Sequence, residues 1–174
     1  MPMSRGIFGI CLLILTLTLA GAGWTQTIKP ASSGHTILYG RAVSLLDQAE
    51  KKLNTGDIST AKAQAKEANS LFTLLKNEYT SLLAERELSP KEDQQLAINQ
   101  KLATDAQTQA DRLMETAAAQ DKKAQEHEMQ GREEPSKASY RQSKDGYNRA
   151  QSLYVRSALY ALRNQQMLFR FLAP

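Results

Sequence analysis

Hydrophobic residues follow their most regular pattern between positions 57 and 87. There they recur at alternating steps of three and four residues, which places them along one face of a helix. We call this face the seam, and it consists of Ile58, Ala61, Ala65, Ala68, Phe72, Leu75, Tyr79 and Leu82. A helix with one apolar face must bury that face against a partner. The pattern therefore predicts a helix over 57–87 that packs against the segments before and after it.

The segment before the seam predicts a shorter helix over 36–54. Its apolar stripe is Leu38, Ala42, Leu45, Ala49 and Leu53. An Asn-Thr-Gly sequence at 54–56 ends it, because glycine readily adopts the left-handed conformation found after helix ends. Asp57 is suited to cap the next helix, since its carboxylate can accept hydrogen bonds from the first amide groups. So short a connection predicts an antiparallel hairpin.

A third helix is predicted after the seam, over 90–130. Ser89, Pro90 and Glu92 match a helix start with a side-chain cap, a proline in the first turn and a capping-box glutamate. The apolar stripe of this helix is rich in alanine. Alanine lets a neighbouring helix approach closely, but it buries little apolar area.

The last predicted helix covers 135–172, after a polar break that contains glycine and proline. Gly146 is expected to cause a kink or a short break, because glycine disfavours a helix interior by about 1 kcal/mol relative to alanine. The predicted fold is therefore all-α. It is an elongated antiparallel helical bundle of three long helices (57–87, 90–130 and 135–172) plus the shorter N-terminal helix (36–54).

Residues 1–22 have the features of an export signal. One cation, Arg5, precedes an apolar run, and an Ala-Gly-Ala sequence at 20–22 offers the small residues that signal peptidase accepts. We therefore predict cleavage near Ala22 and an exported chain that is periplasmic or extracellular. The alternative is that the run remains as an N-terminal membrane anchor, although it is short for a bilayer span of about 20 residues.

The rest of the chain divides into a flexible lead-in over 23–35 and a single α-helical domain over 36–174. The one cysteine, Cys11, lies in the predicted signal, so the mature chain would contain no disulfide bond and no cysteine metal site. The formal net charge is +4, with Lys and Arg mostly interleaved with Asp and Glu. This charge is too diffuse to indicate a nucleic-acid partner.

The first predicted hairpin carries large and small residues at positions typical of a known repeat. Leu45 and Ala49 match the large and small positions of its first helix, and Ala61 and Ala68 the small positions of its second. Gly-Asp-Ile at 56–58 matches its turn, where an aromatic residue usually replaces the isoleucine. Residues 39–72 therefore resemble a single tetratricopeptide-like hairpin, which implies shared hairpin packing. Such units normally occur in tandem, and no second clear copy follows.

The C-terminal segment 146–174 combines a line of cations with an apolar end. It contains no acidic residue, and its arginines recur every seven residues at Arg149, Arg156, Arg163 and Arg170. Its end carries Met167, Phe169 and Phe171 among other apolar residues. One interpretation is a basic amphipathic helix that contacts an anionic lipid surface or an acidic partner. The other is a bundle helix whose arginines pair with Glu115, Asp111, Glu78 or Glu85, while its apolar end covers the core.

The sequence contains no catalytic signature. No nucleophile stands beside a base, no carboxylate pair lies among apolar residues, and no glycine loop opens a helix. His127 is flanked by Glu126 and Glu128, but adjacent residues on a helix point in different directions. We therefore expect no enzyme activity, no cofactor, no metal site and no small-molecule substrate.

These observations predict an exported, non-catalytic helical interaction or scaffold protein of a bacterial-type cell envelope. A protein partner or self-association is expected, because long alanine-rich seams favour helix packing. One alternative is a peripheral membrane or envelope-surface binder that acts through 146–174. A second alternative is a periplasmic chaperone-like protein, suggested by export, basic charge and long helical arms.

Overall fold

The computed structural model describes residues 33–174, and this part of the chain is helical with no strand. Its helices are α1 (Ser33–Asn54), α2 (Ile58–Glu78), α3 (Thr80–Glu85), α4 (Pro90–Met129) and α5 (Glu133–Leu168), followed by a 3₁₀ turn (Arg170–Leu172). The all-α prediction is thereby confirmed. The predicted signal over 1–22, and the lead-in up to residue 32, lie outside the described residues.

Helices α1 and α2 form the first hairpin through the predicted turn. Gly56 has a φ of 83°, the left-handed conformation that glycine adopts at low cost. The Asp57 carboxylate accepts a hydrogen bond from the Thr60 backbone amide at 3.2 Å. This hydrogen bonding is the main reason that the pKa of Asp57 lies below its ordinary value. The predicted helix stop and the predicted cap are both confirmed.

Helices α4 and α5 form the second hairpin. It begins with the predicted capping box, in which the Glu92 amide donates to Ser89 Oγ at 3.3 Å and the Ser89 amide donates to Glu92 Oε2 at 3.0 Å. Gly131, with a φ of 68°, lies in the turn between the two helices. The C-terminal half of α5 then packs on α1 and α2, which joins the two hairpins.

The hydrophobic core lies among α1, α2 and the end of α5. Phe72 is fully buried between the Tyr39 ring, 6.5 Å away by ring centroids, and the Phe169 ring, which stacks on it at 6.1 Å. The buried part of the seam is Ala61, Ala65, Ala68, Phe72 and Leu75. Ile58 and Tyr79 lie partly buried against this core, and Leu82 is half-buried. Five of the eight predicted seam residues are thus buried on one face of α2.

The α4–α5 hairpin continues beyond α1 and α2 as a two-helix arm, defined here as residues 111–152. Arg156 of α5 lines the same cleft as Leu53 and Asn54 at the end of α1. Helix α5 therefore passes the end of α1 near Arg156. Some 20 residues of α5 therefore extend past that end, or roughly 30 Å at 1.5 Å per residue. The buried positions of the arm are all small: Ala117, Ala124, Ser136, Ser143 and Ala150.

The predicted uninterrupted helix over 57–87 is wrong at its C-terminal end. Helix α2 ends at Glu78, and Tyr79 separates it from the short α3. The Tyr79 hydroxyl lies 2.7 Å from His35 Nδ1, and its ring packs edge-on against Phe171 at 5.4 Å. These contacts come from distant parts of the chain, so no local helix breaker signalled the interruption.

The expected break at Gly146 is absent, because α5 is one helix from Glu133 to Leu168. A Cβ atom at Gly146 would lie 2.9 Å from the Ala117 Cβ, which is closer than van der Waals contact allows. Glycine therefore permits close approach of α4 to α5 at this point. Helix α1 also begins three residues earlier than predicted, at Ser33, and so includes the end of the predicted lead-in.

Candidate functional site

Three of the four arginines in the predicted line meet in one cleft. Arg156, Arg163 and Arg170 line a concave site of about 710 Å³ between α1, α4 and α5, which we call the arginine cleft. Helix α1 contributes Tyr39, Glu50, Leu53 and Asn54, and α4 contributes Gln95 and Asn99. Arg149 is exposed on the arm and lies outside the cleft, because α1 ends before it reaches that level.

Arg163 is held in the cleft by two carboxylates of α1. Its Nη1 lies 2.9 Å from Asp47 Oδ1, and its Nη2 donates to Glu50 Oε2. Burial alone would lower the pKa of Arg163, but its hydrogen bonds and charge contacts with Glu50 and Asp47 outweigh burial and raise that pKa above its ordinary value. Arg163 therefore fixes α5 against α1 and is already neutralised by its own chain.

The acids expected to pair with these arginines do not do so. Glu115, Asp111, Glu78 and Glu85 form no ion pair with an arginine of α5 in the described part of the chain. Asp111 instead accepts a hydrogen bond from the Tyr154 hydroxyl at 2.5 Å, which raises the pKa of Tyr154 to about 12. The partners of Arg163 lie on α1, which the sequence pattern did not indicate.

Arg156 and Arg170 are exposed, and neither forms an ion pair within residues 33–174. The charge of Arg170 still reaches its neighbours. Burial raises the pKa of Tyr39, and the nearby Arg170 opposes that rise. Hydrogen bonds from Ser89 are the main cause of the lowered pKa of Glu92, and the charge of Arg170 contributes to it. The cleft thus presents two guanidinium groups that form no ion pair with another described residue.

A network of amide side chains around the buried Asn99 lies at the α4 side of the cleft, and the sequence interpretation missed it. Asn99 Nδ2 donates to Asn164 Oδ1 at 2.8 Å, and Asn164 Nδ2 donates to the Leu96 carbonyl at 3.2 Å. Gln95 Nε2 completes the network by donating to Asn99 Oδ1 at 3.1 Å. The available signal was the position of Asn99, four residues before Ala103 on the alanine stripe. A polar residue at such a buried position fixes the pairing of two helices.

The apolar end of α5 covers the core more than it faces solvent. Phe169 is 1% exposed and Leu172 is equally buried. Met167 is half-buried and lines the cleft. Phe171 is 36% exposed, with the Arg86 guanidinium 5.7 Å from its ring centroid. Of the three apolar residues predicted to contact a surface or partner, only Phe171 is still substantially accessible.

Arg86 is a second residue that sequence analysis did not single out. It lies between α3 and α4, and its Nη1 donates to the Leu168 carbonyl and to the Met167 carbonyl, the latter at 3.3 Å. Its Nη2 forms an ion pair with Glu92 Oε1 at 3.0 Å. A cation at the last carbonyl groups of a helix stabilises the helix end. Arg86 thereby fixes the end of α5, which carries the cleft.

The two histidines lie away from the cleft. His127 is half-buried on the arm, and its Nδ1 has no hydrogen-bond partner among the described residues. His35 lies in the first turn of α1 beside Tyr79. Within residues 33–174, no three His, Cys, Asp or Glu side chains are grouped as a metal site would require. The cleft is lined instead by amides, hydroxyls and the guanidiniums of Arg156 and Arg170, each of which is suited to pairing with an anionic group.

The fold and the cleft define this chain as an all-α protein of two joined helical hairpins with a cationic cleft. Comparison with protein-family models, with curated proteins and with solved structures finds no match for the chain. In the part of the chain that the structure describes, no helix has the length and apolar character needed to cross a bilayer.

Proposed function

We propose that this chain is an exported, non-catalytic interaction protein of a bacterial-type cell envelope, and that it binds a protein partner at the arginine cleft. The observation that carries this proposal is the pair of unpaired arginines, Arg156 and Arg170, in a concave site whose third arginine is fixed by α1. The fold fixes the backbone positions of these arginines, so binding has to order only their exposed side chains, at about 0.5–1.5 kcal/mol each.

The arm supports a scaffold role for the same protein. It extends past α1 and α2, and it leaves large side chains accessible on its outer surfaces, among them Met114, Met129 and Tyr140. Aromatic residues and methionine are enriched in the contact surfaces of proteins. The arm thus offers a second contact surface, either for the partner or for another copy of the chain.

The experiment is affinity capture from native cells that express the full chain with a C-terminal tag, after mild crosslinking. We expect a partner in stoichiometric amount, identified by mass spectrometry. The double variant Arg156→Gln/Arg170→Gln should lose it, whereas Arg149→Gln should keep it, because Arg149 has the same helix and heptad position but lies outside the cleft. Recovery of the tagged chain alone, as a monomer by light scattering, would contradict the proposed function.

Export is tested on the same material. We expect the intact mass of the purified chain to correspond to a start at Gly23, which follows the predicted cleavage near Ala22. A chain that retains residues 1–22 and sediments with membranes would favour the anchored alternative. A full-length chain in the soluble cytoplasmic fraction would contradict export altogether.

A second candidate function is binding to an anionic membrane surface. Arg149, Arg156 and Arg170 are exposed and make no ion pair with another described residue, which favours this candidate. Each arginine that meets lipid phosphates could contribute about 1 kcal/mol. However, the burial of Phe169 and Leu172 leaves little apolar surface to insert. Cosedimentation with phosphatidylglycerol vesicles would favour this candidate if it is lost in Arg156→Gln/Arg170→Gln. Phosphatidylcholine vesicles in the same buffer and salt are the control and should not bind the chain.

A further inference from the structure

The free charges of the arginine cleft lie at its two ends. Arg156 and Arg170 are seven positions before and seven after Arg163. Arg156 lies in α5 and Arg170 in the 3₁₀ turn that follows it, so at about 1.5 Å per residue their backbones are roughly 20 Å apart. Arg163, between them, is neutralised by Asp47 and Glu50. The cleft therefore attracts negative charge at both ends and little at its centre.

This separation determines the shape of a fitting anion. Two arginines whose backbones are this far apart favour a ligand with two separated anionic groups over a single phosphate or carboxylate group. An extended polypeptide advances about 3.3 Å per residue, so about six residues span the distance. The volume of about 710 Å³ is within the range of sites that hold small molecules or short segments.

The lining of the cleft suits a peptide backbone. The side chains of Asn54 and Tyr160 line the cleft and form no hydrogen bond with another residue of the described chain. An amide both donates and accepts, as does a phenol, so these groups can pair with peptide N–H and C=O groups. A flat bilayer would instead meet only the rim of this concave site.

We infer that the arginine cleft binds an extended acidic segment of a partner protein, about six residues long, with a carboxylate near each end. This inference rests on the proposed function and names the chemistry of the partner. Arg156 and Arg170 each bind one carboxylate, and the segment between them lies along α5 beside Asn54 and Tyr160.

The test uses fluorescence anisotropy with the protein purified after expression of the full chain. The probe is a labelled hexapeptide of glycine and serine with glutamate at its first and last positions. One control peptide has glutamine at both ends, and another has the two glutamates adjacent at its centre. We expect the end-spaced peptide to bind at least tenfold more tightly than either control.

Protein variants locate the binding. We expect Arg156→Gln/Arg170→Gln to weaken binding of the end-spaced peptide at least tenfold, and Arg149→Gln to leave it unchanged. Circular dichroism confirms that each variant is folded. Equal binding of the glutamine peptide would overturn the inference, as would equal losses in the two protein variants. Tighter binding to phosphatidylglycerol vesicles than to the peptide, sensitive to the same double variant, would overturn it in favour of a lipid surface.

The inference and the proposed function can fail separately. Loss of a captured partner from Arg156→Gln/Arg170→Gln, together with equal binding of the end-spaced and glutamine peptides, would overturn the acidic-segment inference and leave the interaction function standing. Specific peptide binding by a chain that captures no partner in cells would support the chemistry of the cleft and contradict the proposed function.

Discussion

Arg163 shows how a single residue links the fold to the cleft. Its guanidinium joins α5 to α1 through ion pairs with Asp47 and Glu50. The Arg163 side chain is 29% exposed, so these ion pairs are partly buried. The heptad spacing predicted one helical line of arginines, and the structure has Arg149, Arg156 and Arg163 in α5 with Arg170 in the following 3₁₀ turn. The spacing could not predict that Arg149 would lie outside the cleft, because that depends on where α1 ends in space.

Arg163→Gln should lower the free energy of unfolding by about 1 kcal/mol, because two ion pairs at a partly buried site are lost. The loss should shrink in about 1 M salt, where exposed carboxylates are screened. Urea denaturation at low and high salt measures both effects, with Arg149→Gln as the matched control. Equal stability of wild type and Arg163→Gln at low salt would contradict the structural role given to this residue.

Gly146 is a residue whose role only the packing reveals. The sequence marks it as a helix breaker, whereas in the structure it lies in the interior of α5 at a close approach to α4. A Cβ atom there meets the Ala117 Cβ, which is rigid and cannot rotate away. Intrinsic propensity and packing therefore make opposite predictions for an alanine at this position.

We expect Gly146→Ala to destabilise the fold by about 1 kcal/mol, since overpacking costs 1–3 kcal/mol and exceeds the gain in helix propensity of about 1 kcal/mol. The double variant Gly146→Ala/Ala117→Gly restores the space and should recover part of the loss. A thermodynamic cycle from urea denaturation separates the two terms. If Gly146→Ala alone stabilised the protein, the close approach would not be the reason for this glycine.

At the scale of elements, helix α2 follows its sequence pattern up to Leu75 and departs from it afterwards. Periodicity predicts burial well where the partner helices run alongside, as they do for Ala61, Ala65 and Ala68. It fails at Tyr79, because the contacts with His35 and Phe171 form only after α1 and the chain end have folded back. The sequence pattern thus predicts the face of a helix but not where tertiary contacts interrupt it.

Phe72→Ala should destabilise the fold by about 3–5 kcal/mol, because it leaves a cavity in a fully buried site between Tyr39 and Phe169. Leu74→Ala is the matched control, since Leu74 lies on the same helix and is 54% exposed. Its effect should stay within about 0.5 kcal/mol. Thermal and urea denaturation measure both variants, and similar losses in the two would place the core elsewhere.

At the scale of the whole described domain, two kinds of packing hold the helices together. The core uses aromatic and branched side chains from α1, α2 and α5, whereas the arm is held by alanine and serine. The alanine-rich stripe did predict weak, close packing of α4 against its neighbour. The sequence could not indicate which part of α5 pairs with α4 alone, because that depends on the length of α1 and α2.

The arm should open more readily than the core, because alanine buries little apolar area and each arm helix packs on one partner only. We expect backbone amides of 115–125 and 138–148 to exchange hydrogen faster than those of 61–75, by at least tenfold, at neutral pH. Hydrogen exchange read by mass spectrometry compares these segments within one sample, so solvent conditions are identical. The first turn of α4 serves as an internal reference for the arm segments. Its Ser89 and Glu92 amides each donate a hydrogen bond to the side chain of the other residue. Uniform protection along α4 and α5 would mean that the arm is as stable as the core, and it would then act as a rigid spacer for a bound partner instead of an adaptable surface.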